Sequence, residues 1–267
     1  MDEVVGRRAL GSYEIVRELE PCSLSRRWLA TLADDQSTHV LYEFSHCRDR
    51  FERRRFVEAV QALAELDHAH ILAVERLTLV ESEPWLVTLY TGNQEGLVTL
   101  EALLEAKGGA MPASEAARAL VQLLEALEYA HEHKQHHGPV SIEQVLVDRH
   151  GSVAIELFGM SRRLHGLVRG NEVLKTDEVR SLVEMGYRLI TGREASEPRI
   201  DACKLTRGLD RRWDEWFDRG LDPLGGFRSA GEALRAFPTR SRAPDSGAGV
   251  GAVRVVIGRV RSALRQE

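Results

Sequence analysis

The sequence predicts an α+β protein with two lobes, a small β-rich lobe followed by a larger, mainly helical one. Residues 13–92 contain short stretches rich in β-branched and aromatic residues, interrupted by one helical pattern. From residue 98 to 237, the apolar residues recur mostly at helical spacing. The chain has 267 residues, which is enough for two packed lobes whose core is stable without cross-links.

The first lobe is predicted to contain five strands and one helix. The strands cover 13–19, 26–32, 38–44, 71–81 and 84–92, and the helix covers 51–68. Turn-forming residues at 34–37 separate the second strand from the third. The predicted buried face of the helix carries Phe56, Val60, Leu63 and Ala64.

The second lobe is predicted to contain five helices and two short strands. The helices cover 98–108, 114–134, 176–192, 210–221 and 229–237, and the strands cover 145–148 and 153–158. Ser114 is the expected N-cap of the second helix, and Gly192 is the expected cap at the end of the third. We expect Trp213 and Trp216 in the helical core rather than in a surface stacking platform.

Composition and charge exclude several classes of protein. Lys and Arg number 36 against 41 Asp and Glu, so the net charge of -5 gives no overall attraction to nucleic acid or an anionic membrane. The three cysteines are widely spaced, which favours neither a disulfide framework nor a CxxC metal site. Because no apolar run approaches ~18 residues and the N-terminus lacks an apolar leader, we expect a soluble, cytoplasmic protein.

Two segments lie outside the predicted lobes, an N-terminal extension (1–12) and a linker with a basic tail (238–267). Four arginines stand among Val and Ile between 253 and 267, a pattern that could bind a partner protein or a membrane surface. Gly258 and the β-branched residues weaken the helix that such binding requires. We therefore favour a frayed basic end, and the tail only weakly suggests membrane association.

Six stretches carry a resemblance to a known family. They are YEIVREL (13–19), LDHAHIL (66–72), LLEALEYAHEHKQHHG (123–138), LFG (157–159), RSLVEMGYRLITG (180–192) and GFRSAGEAL (226–234). In this order and spacing they resemble the bacterial serine/threonine protein kinases of the eukaryotic-like type. The resemblance runs from about Tyr13 to Phe237 and implies a protein-kinase-like fold, with an N-lobe at about 13–92 and a C-lobe at about 93–237.

The residues that perform phosphoryl transfer in that family are replaced in this sequence. The family needs a glycine-rich loop and a lysine for the phosphates, a glutamate that holds the lysine, a catalytic aspartate, and an asparagine and an aspartate for Mg²⁺. By the resemblance, these positions are occupied in that order by Glu20, Cys22 and Ser25, Tyr42, Ala59, Pro139, Gln144 and Leu157. Tyr42 offers the phosphates no cation, and Pro139 has no side-chain oxygen to act as a base. A lone Gln144 could not hold Mg²⁺.

Four carboxylates lie one residue from a replaced position, namely Glu43, Glu58, Glu143 and Glu156. Neighbouring residues of a strand point to opposite faces, so Glu43 and Glu156 are expected to point away from the cleft. One residue on a helix is a rotation of about 100°, which turns Glu58 aside as well. We predict that all four are solvated surface carboxylates.

The structural residues of the family are retained. His137 and Phe158 match the histidine and phenylalanine that stack in the family with one residue of helix C and one of strand 4, here Leu63 and Val74. By the resemblance, these four residues form an apolar column that links the lobes. Either Asp177 or Glu178 matches a buried acid that holds the catalytic-loop backbone, and the spacing from Gly192 favours Glu178.

The adenine pocket of the family is expected to be partly filled. Val40 and Arg27 stand where the family has an alanine and a valine, so nucleotide binding should be weak or absent.

The segment HEHKQHH (131–137) contains four histidines and could suggest a metal site. His131 and His137 match structural histidines of the family, and His133 and His136 fall in the turn between them. We therefore predict no metal site.

Together these features predict a pseudokinase, a catalytically inactive kinase-like domain that acts as a protein-binding, scaffolding or regulatory module. Its expected partner is a protein, such as another kinase or a signalling protein, and it is expected to need no cofactor, although weak ATP binding stays open. The alternative is an atypical serine/threonine kinase or nucleotidyl transferase with residual ATP binding. That alternative needs a cation for phosphate and a carboxylate for metal within the cleft.

Overall fold

The computed structural model describes residues 9–44, 49–80, 83–94, 96–167 and 170–238. The strands are β1 (Ala9–Leu10), β2 (Tyr13–Leu19), β3 (Arg26–Leu32), β4 (Thr38–Glu43), β5 (Arg76–Val80), β6 (Glu83–Leu89), β7 (Val98–Thr99), β8 (Val145–Val147) and β9 (Val153–Ile155). The helices are α1 (Arg50–Ala64), α2 (Leu100–Ala106), α3 (Ala113–Glu132), α4 (Met160–Leu164), α5 (Asn171–Thr191), α6 (Ala202–Leu205), α7 (Arg212–Leu221) and α8 (Ala230–Arg235). A β-rich lobe precedes a helical one, so the predicted bilobal α+β architecture is confirmed.

The first lobe is an antiparallel sheet with the strand order β1-β2-β3-β4-β6-β5. Side chains of β4 alternate between its faces, because Leu41 packs with Trp28 on one face while Tyr42 joins the main core on the other. Arg27 on β3 lies directly opposite Tyr42. Directly opposite residues share a face, so Arg27 and Tyr42 face the second lobe together.

Helix α1 packs on the sheet face that carries Tyr42. Asp49 and Glu52 form a capping box, which satisfies backbone N–H groups at the start of the helix. The buried residues of α1 are Phe56, Ala59, Val60 and Leu63. Ala59 therefore takes the place predicted for Ala64, which is exposed at the last position of the helix.

The second lobe is organised around α3 and α5. A Cβ on Gly186 of α5 would lie 2.7 Å from a methyl group of Leu120 on α3, so glycine permits the close approach of these helices. Trp213 and Trp216 of α7 are each 2% exposed and pack against Phe237, which confirms their predicted place in the core.

Backbone hydrogen bonds connect the segment that follows α1 to strand β9. Leu72 donates to the carbonyl of Ile155 at 3.0 Å, and Ile155 donates to that of His70 at 2.9 Å. These bonds join the lobes immediately before the turn that contains Glu156. They also explain why β5 begins only at Arg76, since the first residues of the predicted strand bond to β9 rather than to the sheet.

Other differences concern element boundaries. Helix α3 begins at Ala113 after Pro112, so Ser114 is not its N-cap; the φ of Pro112 already suits the start of a helix. Helix α5 begins at Asn171 rather than 176 and ends at Gly192, whose φ of 70° is that of the predicted cap. The short helices α4 and α6 were not predicted, because they are too short for a periodic pattern.

The predictions for the two ends of the chain concern residues that lie mostly outside the described ranges. Most of the predicted extension (1–12) and all of the tail from 239 to 267 lie outside the described residues. Within the described ranges, no helix combines the length and the apolar character needed to cross a membrane.

Candidate functional site

A buried ionic network occupies the cleft between the lobes. Nη1 of Arg27 donates to Oε1 of Glu156 at 2.9 Å and lies 3.2 Å from Oε2. The hydroxyl of Tyr42 donates to the same Oε1 at 2.8 Å. Arg27, Tyr42 and Glu156 are 3%, 0% and 4% exposed, so the network is shielded from solvent. We call these three residues the cleft network.

The remaining donors of Arg27 bind the loop that resembles the glycine-rich loop. Nε donates to the carbonyl of Glu20 at 2.5 Å, and Nη2 donates to that of Pro21 at 3.3 Å. The N–H of Cys22 donates to the carbonyl of Ser25 at 3.1 Å and closes the turn of the loop. One guanidinium therefore connects the loop, the sheet and the second lobe.

The position of Glu156 corrects the sequence prediction. Strand alternation was expected to place Glu156 in solvent and away from the cleft, but β9 ends at Ile155 and Glu156 lies in the following turn. Leu157 has a φ of 47°, so the chain no longer follows the strand geometry there. The cleft contains a carboxylate that sequence reasoning missed.

Glu43 is also buried rather than solvated, at 8% exposure, because its Oε2 accepts a hydrogen bond from Nε1 of Trp28 at 2.8 Å. Trp28 lies on the sheet face opposite the cleft network. Glu58 and Glu143 are exposed, as predicted.

The electrostatics of the cleft network favour a charged pair beside a neutral phenol. Burial opposes the charge of Arg27, but the carboxylate of Glu156 outweighs this effect and raises the pKa of Arg27. Burial, together with the negative charge of Glu156, raises the pKa of Tyr42 well above its usual value. Tyr42 therefore acts as a hydrogen-bond donor to a carboxylate that is paired with a guanidinium.

The other replaced positions do not converge on one site. Ala59 and Leu157 are buried in the core, Ser25 is buried at the loop, and Cys22 is half-buried. Glu20 and Pro139 are exposed. The side-chain oxygen of Gln144 accepts the N–H of Ser141 at 3.0 Å, so a local turn uses the group that was considered as a metal ligand.

The residues expected to form an apolar column lie in the core between the lobes. The rings of His137 and Phe158 are edge-to-face with their centroids 5.2 Å apart. Leu63 is buried, and Val74 is half-buried against the same core cluster. Burial lowers the pKa of His137, which favours the neutral ring.

Glu178 on α5 holds the segment that resembles the catalytic loop. It is fully buried, and its Oε1 accepts the N–H of Gly138 at 2.8 Å. Its Oε2 lies 2.5 Å from Nε2 of His131 at the end of α3. Ser181, one turn along α5, accepts the N–H of Val140 at 2.9 Å. Of the two acids considered, Glu178 makes the backbone contact.

Two surface cavities lie away from the cleft network. A cavity of about 390 Å³ is bordered by Lys107, Arg118 and Arg149, and one of about 240 Å³ by Trp216 and Phe237. Neither is lined by a residue of the cleft network.

Curated relatives of the chain are protein kinases. It is 24% identical over 211 residues to the serine/threonine-protein kinase PrkC of Bacillus subtilis, which is 71% of this chain and 32% of PrkC. It is 24% identical over 168 residues to the probable serine/threonine-protein kinase PknB of Lactococcus lactis, which is 60% of this chain and 25% of that protein. The chain thus matches about a third or less of the length of these relatives.

The fold is shared with solved kinase domains. The crystal structure of the Mycobacterium tuberculosis PknI kinase domain matches with a TM-score of 0.68 and 19% identity, covering 88% of this chain and 98% of that one. The family model described as protein tyrosine and serine/threonine kinase matches residues 25–180, more than half of the chain. The chain therefore belongs to the protein tyrosine and serine/threonine kinase family.

Proposed function

We propose that this chain is a catalytically inactive kinase-like domain that acts as a protein-binding, scaffolding or regulatory module. The observation that carries the proposal is the cleft network. By the resemblance, Tyr42 and Leu157 stand at the positions of the phosphate-binding lysine and of a metal-binding aspartate. If the resemblance holds at these positions, the side chains of the network fill space that the family uses for phosphate and metal, which supports the proposal.

Energetics support a cleft that excludes nucleotide. A phosphate group would have to replace Glu156 beside Arg27, and Mg²⁺ would have to replace Arg27 beside Glu156. Depriving a buried ion of its partner typically costs about 3–5 kcal/mol. Pro139 stands, by the resemblance, in the position of the base, and it has no side-chain oxygen that could accept the proton of a hydroxyl substrate.

The second candidate is an atypical kinase or nucleotidyl transferase, and one observation favours it. The cleft contains both a cation, Arg27, and a carboxylate, Glu156, which such chemistry requires. They are paired with each other, so this candidate requires ATP and Mg²⁺ to separate them.

Thermal melting with ATP and Mg²⁺ tests the two candidates, with the PrkC kinase domain as a positive control. We expect no shift in the melting temperature of this chain, whereas a ligand at about 100 times its Kd would add about 2.7 kcal/mol of stability. Transfer of labelled phosphate to a basic protein substrate should be at background. An Mg²⁺-dependent shift with phosphate transfer, both lost in Glu156→Gln but kept in Glu58→Gln, would establish the atypical enzyme instead.

We also infer that the partner is a protein, such as another kinase or a signalling protein, and that no cofactor is needed. The net charge of -5 supports a protein partner rather than nucleic acid.

A further inference from the structure

Two histidines and one glutamate meet beneath the segment that resembles the catalytic loop. His131 comes from the end of α3, His136 from the following turn, and Glu178 from α5. One ligand atom from each lies within 4.8 Å of the others. Their side chains are 6%, 3% and 0% exposed, so the cluster belongs to the interior.

Several imidazole nitrogens of the cluster have no hydrogen-bond partner in the described part of the chain. Among the residues that the structure describes, neither Nδ1 nor Nε2 of His136 has a hydrogen-bond partner, and the same holds for Nδ1 of His131. Nδ1 of His136 is 3.7 Å from Oε1 of Glu178, which is too long for a hydrogen bond. Leaving buried polar atoms unpaired costs free energy, and native structures rarely do so. The interior of the second lobe therefore contains imidazole nitrogens that are available as ligands.

We propose that His131, His136 and Glu178 bind one divalent transition-metal ion, with Zn²⁺ as the preferred ion. Two imidazole nitrogens and one carboxylate oxygen are zinc ligands, and a water molecule completes the tetrahedron. Mg²⁺ and Ca²⁺ prefer sites made of oxygen ligands. Bound there, the ion joins α3, the loop and α5, and its role is structural. The inference goes beyond the proposed function and does not depend on it, and it revises the prediction from the sequence that the segment 131–137 holds no metal site.

Binding of the ion requires a small rearrangement of Glu178 and His131. Oε1 of Glu178 keeps the N–H of Gly138, while Oε2 and Nε2 of His131 move apart from their 2.5 Å contact. Two ligands of a tetrahedral ion with bonds of about 2.1 Å are about 3.4 Å apart. When Nε2 binds the ion, the ring proton moves to Nδ1 of His131, which has no hydrogen-bond partner among the described residues.

Nearby cations oppose an added positive charge, but each of them already has a hydrogen-bond or ion-pair partner. Arg162 donates to the carbonyl of His136 at 3.4 Å, and Lys175 pairs with Glu172 at 3.1 Å. The Glu178 carboxylate is the anion that the buried ion would contact directly.

Metal analysis of the full chain tests the proposal. After EDTA treatment, dialysis against Zn²⁺ and removal of free ion, we expect one Zn²⁺ per chain and a higher melting temperature. His136→Val should lose this ion, whereas His133→Gln, an exposed histidine of the same segment, should retain it. A His136→Val chain that binds as much Zn²⁺ as the wild type would overturn the proposal.

The wild-type chain provides a test that does not depend on a variant folding. Co²⁺ should give the intense visible absorption of a tetrahedral site, and Zn²⁺ should displace it. Absence of Zn²⁺ after dialysis, or an octahedral Co²⁺ spectrum, would show that the cluster is not the proposed metal site.

Discussion

Replacing Glu156 with Gln keeps the shape of the side chain but leaves the guanidinium of Arg27 buried without an anion. We expect a loss of about 3–5 kcal/mol in the free energy of unfolding, measured by urea denaturation. Glu58→Gln is the matched control, because Glu58 pairs with Arg54 on the exposed face of α1 and should change stability by less than about 1 kcal/mol. An equal effect of the two variants would contradict the buried ion pair.

A double variant separates the unpaired charge from lost packing. Arg27→Met with Glu156→Leu removes both charges and keeps apolar volume, so it should be more stable than Glu156→Gln alone. A double variant that is less stable than the single one would mean that the pair itself contributes net stability.

Tyr42 gives the cleft network a pH signature. Burial and the Glu156 carboxylate raise the pKa of Tyr42 well above normal, so the folded chain retains a proton that the unfolded chain loses near pH 10. This contribution to stability is complete below about pH 10 and is lost as the pH rises above it.

Tyr42→Phe removes this contribution and also the hydrogen bond to a charged group, which is worth about 1.5–3 kcal/mol. Urea denaturation from about pH 8 to pH 11 should show a shallower loss of stability in Tyr42→Phe than in the wild type. Other tyrosines are present in both chains, so their effects cancel in the difference. Parallel pH profiles would contradict the buried phenol.

At the scale of elements, the α3–α5 contact depends on the absence of a side chain at Gly186. Alanine there improves helix propensity by about 1 kcal/mol but places Cβ 2.7 Å from the fully buried Leu120, and overpacking costs about 1–3 kcal/mol. We expect a net loss of about 0.5–2 kcal/mol in urea denaturation.

Val173→Ala, on the exposed face of α5, should stay within about 0.5 kcal/mol of the wild type. If Gly186→Ala stabilised the chain as much as propensity alone allows, the two helices would be less tightly packed than described.

At the scale of the molecule, we predict that Phe237 is the last residue that the hydrophobic core requires. Deletion of 239–267 is expected to leave the melting temperature unchanged, because the described core is complete without those residues. Deletion of 237–267 removes a buried ring that packs on Trp213 and Trp216, and should cost about 3–5 kcal/mol. Calorimetry of both truncations measures the difference. A large destabilisation by the shorter deletion would show that the tail packs on the domain.

Local chemistry explains the parts of the fold that were predictable. The apolar spacing of α3, the cap at Gly192 and the burial of Trp213 and Trp216 each depend on patterns within one element. The strands of the first lobe were also predicted from local patterns, whereas their antiparallel pairing comes from the structure. Boundaries were less predictable where tertiary contacts compete, as at Ile71 and Leu72, which bridge to Ile155 of β9 rather than to the sheet of the first lobe.

The sequence by itself determined the two-lobed architecture, because helical and strand periodicity are local. The replacement of catalytic charges stays a prediction from the resemblance. Only the tertiary structure decided what occupies the cleft. Arg27 and Glu156 are 129 residues apart in sequence, and no periodic pattern connects them. Their pairing depends on the turn after Ile155, where the backbone leaves strand geometry and brings a carboxylate to a guanidinium that burial would otherwise leave without a partner.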